Sequence, residues 1–328
     1  MNGIILRMNT SDLSSIALAA EQGGVVCPLP SLGILHVTGD DATDFLHNQL
    51  TQSARDFAET ETRLAAWCNA KGRTRALFRM VPSDTGLLLI TDSEVLAAVQ
   101  PKLQMFVLRA QVALTNLTDS EGFLGFAGPA AEVLLTEIAG SLPTRPGELT
   151  RAGDLHIIAL PHGEALRYLM LAPSGQLEEI QTRAEQALTP GDEAFWRLLD
   201  IRSGLPEVTL PVQESIIPTM LNLEPLGGIS YEKGCYPGQE VVARMHYLGQ
   251  LKRRLYRAGM AGPPPGAAAS VVDAKGGTAG TVVSAAPSPE GGSELLAVLR
   301  IDAAKTGELF VDEQPLALLD LPYPPPGD

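Results

Sequence analysis

The sequence has 328 residues, with 24 Lys+Arg against 38 Asp+Glu and a formal net charge of −14. A chain this acidic is poorly suited to gripping nucleic acid by bulk electrostatics, and no apolar run approaches the roughly 18 residues of a membrane span. Cys27, Cys68 and Cys235 are odd in number and far apart, which argues against a disulfide framework and fits a reducing cytoplasm; the opening stretch, MNGIILRMNTSDLSS, lacks a signal-peptide pattern.

In chain order, GGVVCPLPSLGILHVTG (23–39) predicts two short strands broken by Pro28 and Pro30. GDDATDFLHNQLTQSA then switches to a helical period that Asp40 or Asp41 can cap. TRLAAWCNAKGRTRALFRMV and GLLLITD predict sheet strands joined by turns around Lys71-Gly72 and Ser83–Gly86. DSEVLAAVQPKLQMFVLR predicts a helix interrupted at Pro101, followed by a strand near 110–117. There the pattern begins again: GFLGFAG, DLHIIAL and ALRYLMLAP predict strands, GPAAEVLLTEIAG and SGQLEEIQTRAEQAL helices. Two similar passes of mixed strands and helices predict an α+β domain of duplicated character. DEAFWRLLDIRSGLPEV (192–208) predicts a helix stopped by Gly204 and Pro206. Beyond residue 248 the texture changes to short strands, LKRRLYRAGM, TAGTVVSAAP, ELLAVLRID and GELFVDEQPLAL, between Gly/Pro-rich turns. The expected organisation is an α+β domain over residues 1–247 and a small β-barrel over 248–328, packed together through the Leu251–Leu255 strand.

Charge is distributed unevenly. Residues 63–79 hold five Lys/Arg and no acid, and residues 233–257 hold six against Glu240 alone. These segments form either two solvated faces or, if they meet, one site for a small anion. The second segment contains YEKGCYPGQEVVAR (231–244). Pro237 suits the first position of a helix, which would put Cys235 at a helix N-terminus beside Lys233, where dipole and ammonium both favour the thiolate. The alternative is a small cysteine packed in a tight turn, with Gly234 and Gly238 supplying backbone freedom.

The stretch NLEPLGGISYEKGCYPGQEVVARMHYLGQLKRRLY resembles the signature of the YgfZ family of folate-binding proteins, relatives of the glycine-cleavage T-protein; Lys-Gly-Cys-Tyr followed by Gly-Gln-Glu stands here as Lys233 to Glu240. GDDATDFLHNQLTQ, Lys71 to Arg73, DIRSGLP and the Asn222-Leu-Glu224 approach also fit, so the resemblance spans most of residues 30–257. It implies a duplicated, T-protein-like folate-binding α+β domain followed by a small barrel. It also implies a tetrahydrofolate cofactor and a role in assembling or repairing iron–sulfur enzymes, including those that modify transfer RNA. The implied partners are the folate and iron–sulfur proteins or their assembly machinery. On this resemblance Cys235 is the reactive group and Lys233 tunes it. Lys71, Arg73 and Arg244 are anion contacts, and Tyr236, Gln239, Asn222 and Glu224 complete the cofactor site.

The chain departs from the T-protein where that enzyme carries its acids. The aspartate pair falls at Arg75 and Ala76, and a folate-contacting glutamate at Arg202. Neither arginine nor alanine can accept a proton there, so aminomethyl transfer is not expected. The five histidines (36, 47, 156, 162 and 246) are scattered, no paired-cysteine spacing exists, and no metal site is expected; a cluster shared between chains or passed through Cys235 stays open. GPAAEVL and KGGTAGT are weak phosphate loops, and Trp67 and Trp196 read as core. Two other functions stay open: an active one-carbon transferase using a different base, and an interaction scaffold with a vestigial folate site.

Overall fold

A computed structural model describes residues 10–56, 58–247 and 251–324. Helix α1 (Thr10–Gln22) and strand β1 (Val25–Pro28) precede two copies of one arrangement. The first copy is β2 (Leu32–Thr38), α2 (Ala42–Gln49), β3 (Arg63–Cys68), β4 (Thr74–Ser83), β5 (Gly86–Asp92), α3 (Ser93–Gln104) and β6 (Ala113–Asn116). The second is β7 (Glu121–Ala127), α4 (Pro129–Ala139), β8 (Leu149–Ala152), β9 (Leu155–His162), β10 (Ala165–Pro173), α5 (Ser174–Ala187) and β11 (Thr189–Pro190). The lateral strand orders match as well. The first sheet runs β3-β4-β5-β2-β6 and the second, read from its far edge, β8-β9-β10-β7-β1-β11, so β1 is an insertion into a common plan.

Strands buried on both faces read as nearly continuous apolar runs, and these do. On the outer face of the first sheet, Val37, Trp67, Phe78 and Leu89 pack on Phe45 and Leu46 of α2 and on Leu96 and Val99 of α3. The second sheet does the same, with Phe126, Ile157 and Met170 against Leu135 of α4 and Ala184 of α5. The inner faces of both sheets meet in one central core that takes Ile34, Leu77 and Ile90 from the first and Phe123, Leu160 and Leu169 from the second. The order of layers is therefore helices, sheet, sheet, helices, and the space between the sheets is where a ligand could be enclosed.

Helix α6 (Glu193–Arg202), capped by Asp192 Oδ1 accepting the Phe195 N–H at 2.8 Å, enters that core from the side. A loop with short 3₁₀ turns at Leu210–Val212 and Pro218–Leu221 leads to α7 (Gln239–Tyr247). The rest is a closed barrel of β12 (Arg253–Met260), β13 (Ser270–Asp273), β14 (Thr278–Pro287), β15 (Ser293–Arg300), β16 (Leu309–Val311) and β17 (Gln314–Leu319), with a short helix α8 (Ile301–Thr306). Its seam with the α+β region is apolar and charged at once. Leu255, Val283, Leu296 and Val298 join the central core. Buried Glu294 receives Arg202 at 2.7 Å and Arg257 at 2.6 Å, while Arg202 also reaches Glu290 at 2.9 Å.

Four local expectations are corrected. Asp41 stands before α2, but its carboxylate takes the Gln111 N–H at 2.7 Å instead of capping the helix. Helix α3 runs through Pro101, which lacks the N–H that would bond the Ala97 carbonyl, and ends three residues later at Gln104. GELFVDEQPLAL is a hairpin, with Asp312 and Glu313 both at positive φ in the turn between β16 and β17. The strand in ELLAVLRID stops at Arg300, where α8 begins.

Candidate functional site

Two adjoining cavities lie between the sheets. The smaller, about 150 Å³, is walled by Leu29, Leu77, Ile90, Leu169 and Trp196 and carries Asp92, Glu193, Arg197, Asp200 and Glu207. The larger, about 590 Å³, is bounded by Gln52, Thr62, Arg63, Gly147, Pro161 and Leu226. Leu64, Arg79, Leu160 and Leu205 belong to both walls. Mostly apolar walls with a few convergent polar groups are the usual make-up of a small-molecule site.

Most of the charges in the smaller cavity are already employed. Asp92 Oδ1 accepts the Val95 N–H at 2.9 Å at the start of α3, and Glu193 Oε1 holds both the N–H and hydroxyl of Ser31. Asp200 Oδ1 receives the buried guanidinium of Arg167, which also lies 4.2 Å over the Trp196 ring. Glu207 Oε1 accepts from Arg197 at 3.0 Å. Burial raises the Glu207 carboxyl to about 6, with Asp200 and Asp92 adding to the rise and Arg197 opposing it. Asp200 and Glu207 each keep one oxygen without a protein donor among the described residues. Arg79, on the inward face of β4 between Leu77 and Val81, donates from Nη1 to Thr62 Oγ1 at 3.2 Å. Burial lowers its pKa to about 10, with the Asp200 carboxylate opposing the fall from beyond ion-pairing distance and Arg167 adding to it.

The motif around Cys235 lies elsewhere. Helix α7 begins at Gln239, two residues after the expected Pro237. Residues 237–238 form a turn in which Gly238 has φ +80°; a Cβ there would meet the Asn69 carbonyl at 2.5 Å and Gly72 Cα at 2.6 Å. Cys235 is exposed on the loop before the helix, four residues ahead of Gln239. Lys233 does not hydrogen-bond to Cys235. Its ammonium donates to the carbonyls of His47 and Leu50 (2.5 Å for the latter) at the C-terminal end of α2, with the Tyr236 ring 5.1 Å away. Burial and the nearby Arg55 lower its pKa to about 8.

None of the sequence-predicted contacts, Lys71, Arg73, Arg244, Tyr236, Gln239, Asn222 or Glu224, lines either cavity. The two basic segments do meet, through the close approach of Gly72 to Gly238 and Val241, but on the outside. Lys71 and Arg244 are exposed there; Arg73 donates to Ser215 O at 2.5 Å. Asn222, buried at φ +55°, donates to Leu255 O at 3.1 Å and so ties the loop to the barrel. Glu224 holds His246 Nδ1 and the Tyr231 hydroxyl, each at 3.1 Å, beneath a Tyr231–His246 stack at 3.8 Å. Tyr236 is buried and Gln239 half-buried. Of the residues matched in sequence to the T-protein's aspartate pair, Arg75 is ion-paired to Glu214 at 2.7 Å and Ala76 is packed in the outer-face core of the first sheet. Arg202 serves the barrel seam.

Sequence reasoning missed Arg79, Asp200 and Glu207. The signal was present in RALFRMV, where alternation places Arg79 on the same face as Leu77 and Val81, a cation on a core-facing position.

A duplicated αββα body with a central cavity, joined to a closed barrel, defines the class: the fold of the T-protein. The glycine cleavage system aminomethyltransferase T from Bartonella henselae superposes with a TM-score of 0.74 over 94% of this chain and 89% of its own, at 14% identity. Residues 252–323 match the CAF17 C-terminal beta-barrel domain. A protein of Edwardsiella ictaluri named tRNA-modifying protein YgfZ is 30% identical over 296 residues, 88% of this chain and 89% of its own. One of the same name from Colwellia psychrerythraea is 29% identical over 228 residues, 70% of this chain and 69% of its own. The chain belongs to the YgfZ family. Among its described residues, no helix is long and apolar enough to cross a membrane.

Proposed function

We propose that this chain binds a reduced folate in the central cavity and, in the cytoplasm, supports the assembly or repair of iron–sulfur enzymes, including those that modify transfer RNA. The observation that carries the folate reading is the smaller cavity. It joins apolar walls and Trp196 to the open oxygens of Asp200 and Glu207. A pterin has a flat ring system with adjacent N–H donors on one edge, and such an edge pairs with carboxylate acceptors inside an apolar slot. The YgfZ name of the relatives supports the link to transfer RNA modification. The net charge of −14 argues that the link passes through protein partners instead of direct RNA binding.

In this reading the Cys235 loop is the partner-facing region, because the thiol is exposed and the loop is anchored to α2 by Lys233. Aminomethyl transfer is not part of the proposal, since the acid positions hold an ion-paired arginine and a buried alanine. Isothermal titration with tetrahydrofolate is the test. Saturable one-to-one binding is expected, and an absence of heat up to millimolar ligand would reject the folate reading.

A further inference from the structure

The cations of the cavity walls are not equivalent. Arg197 has Glu207 and Arg63 has Glu61, but Arg79 has no carboxylate within ion-pairing distance among the described residues. A guanidinium presents five N–H donors, and this one uses a single hydroxyl acceptor, Thr62 Oγ1. Its nitrogens are not sealed in protein, as Arg167 Nη1 and Arg151 Nε are; they open onto the cavities. A cation held out of bulk water with most donors idle is destabilising unless something completes it. Arg79 stands in the partition that both cavities share.

We propose that the two cavities form one elongated ligand site, with Arg79 at their junction receiving a carboxylate on the part of the ligand that extends into the larger cavity. This rests on the folate reading for the head group and adds the recognition of the tail. The larger cavity favours a single negative charge. Its other ions, Arg63 and Glu61, neutralise each other, which leaves one guanidinium to match one carboxylate and gives a polyphosphate nothing further to bind. It also moves the anion contact from the surface residues Lys71, Arg73 and Arg244 to the interior.

The experiment titrates the full-length chain and its Arg79→Gln and Arg79→Lys variants with tetrahydrofolate and with 6-methyltetrahydropterin, which lacks the carboxylate tail. Arg79→Gln is expected to weaken tetrahydrofolate at least tenfold and the pterin less than twofold, with Arg79→Lys in between. The ligand-free Tm of Arg79→Gln should equal or exceed that of the parent, because an under-partnered charge has been removed; a purely structural arginine would give a lower Tm. Equal losses on both ligands, or no loss on tetrahydrofolate, would overturn the assignment while leaving the folate reading intact. Failure of the parent chain to bind either ligand would overturn both.

Discussion

Lys233 and Arg79 are both cations withdrawn from bulk water, and the fold treats them in opposite ways. Lys233 meets two main-chain carbonyls at the end of α2, where the last turn needs donors and the helix dipole favours positive charge. Arg79 meets one threonine hydroxyl and faces open space. A buried charge satisfied by the backbone is part of the scaffold, whereas one left short of acceptors beside a cavity has donors to offer a ligand. The KGCY motif contains the first kind and the cavity walls the second, and no residue of the motif lines either cavity.

The largest expected effect separates those roles. Lys233→Met leaves the carbonyls of His47 and Leu50 without their donor and should cost about 3 kcal/mol in urea denaturation, since hydrogen bonds to a charged group and the unsatisfied acceptors both count. Tetrahydrofolate affinity of the folded variant should stay within about twofold, the scatter expected of a site it does not touch. A parallel collapse of affinity would mean that the loop and the cavity are one unit.

Next in size is Glu207→Gln, which should weaken tetrahydrofolate by about 1–2 kcal/mol, the range for a charge-assisted hydrogen bond made neutral. Glu207 also sets a pH dependence. Its folded pKa, about 6, lies above the ordinary 4.5, so its contribution to stability is full below 4.5 and is lost as pH rises through 6. Pterin donors need the ionised form, so affinity should rise between pH 5 and 7 with proton release near pH 6. Calorimetry in two buffers of different ionisation heat reads that release, and Glu207→Gln should abolish it. An unchanged pH profile in the variant would remove Glu207 from the site.

A smaller effect tests the outer basic face. Arg73→Ala loses a contact to Ser215 O but none to either cavity, and should change folate affinity by less than about twofold. A tenfold loss would return the ligand tail to the surface. The smallest expected change is Cys235→Ser, within about 0.5 kcal/mol of the parent, as for surface substitutions. Iodoacetamide should label one thiol per folded chain. Burial pushes Cys68 up to about 12 and Cys27 higher still, which keeps both as unreactive thiols. Labelling of Cys27 or Cys68 at a comparable rate would contradict that burial.

The two-pass architecture was legible because its longer strands carry apolar runs and its turns carry polar or glycine punctuation, whereas β8 (LTRA) and β11 (TP) lack such runs and were not expected. Asn69 Oδ1, for example, holds the N–H groups of Lys71 and Arg73 at 2.9 and 3.0 Å in the turn expected there. The barrel was legible from the same local signals. The cavity was not, because Arg79, Asp200 and Glu207 come from separate segments and converge only when the two sheets face each other. The partners of Lys233 were not legible for the complementary reason. Its sequence neighbour is Cys235, but its hydrogen-bond partners lie 183 and 186 residues away. Arg202 was read only against the T-protein's glutamate, and nothing local revealed that it pairs with a glutamate of the barrel.

That last contact constrains how this protein could be re-engineered. Arg202→Glu would set a third carboxylate against Glu290 and Glu294 and leave Arg257 alone to neutralise them. The expected product is a chain whose barrel no longer docks. An acid at position 202 is therefore compatible with the docked barrel only if residues 290 and 294 change with it, so the barrel fixes the charge of a residue outside itself.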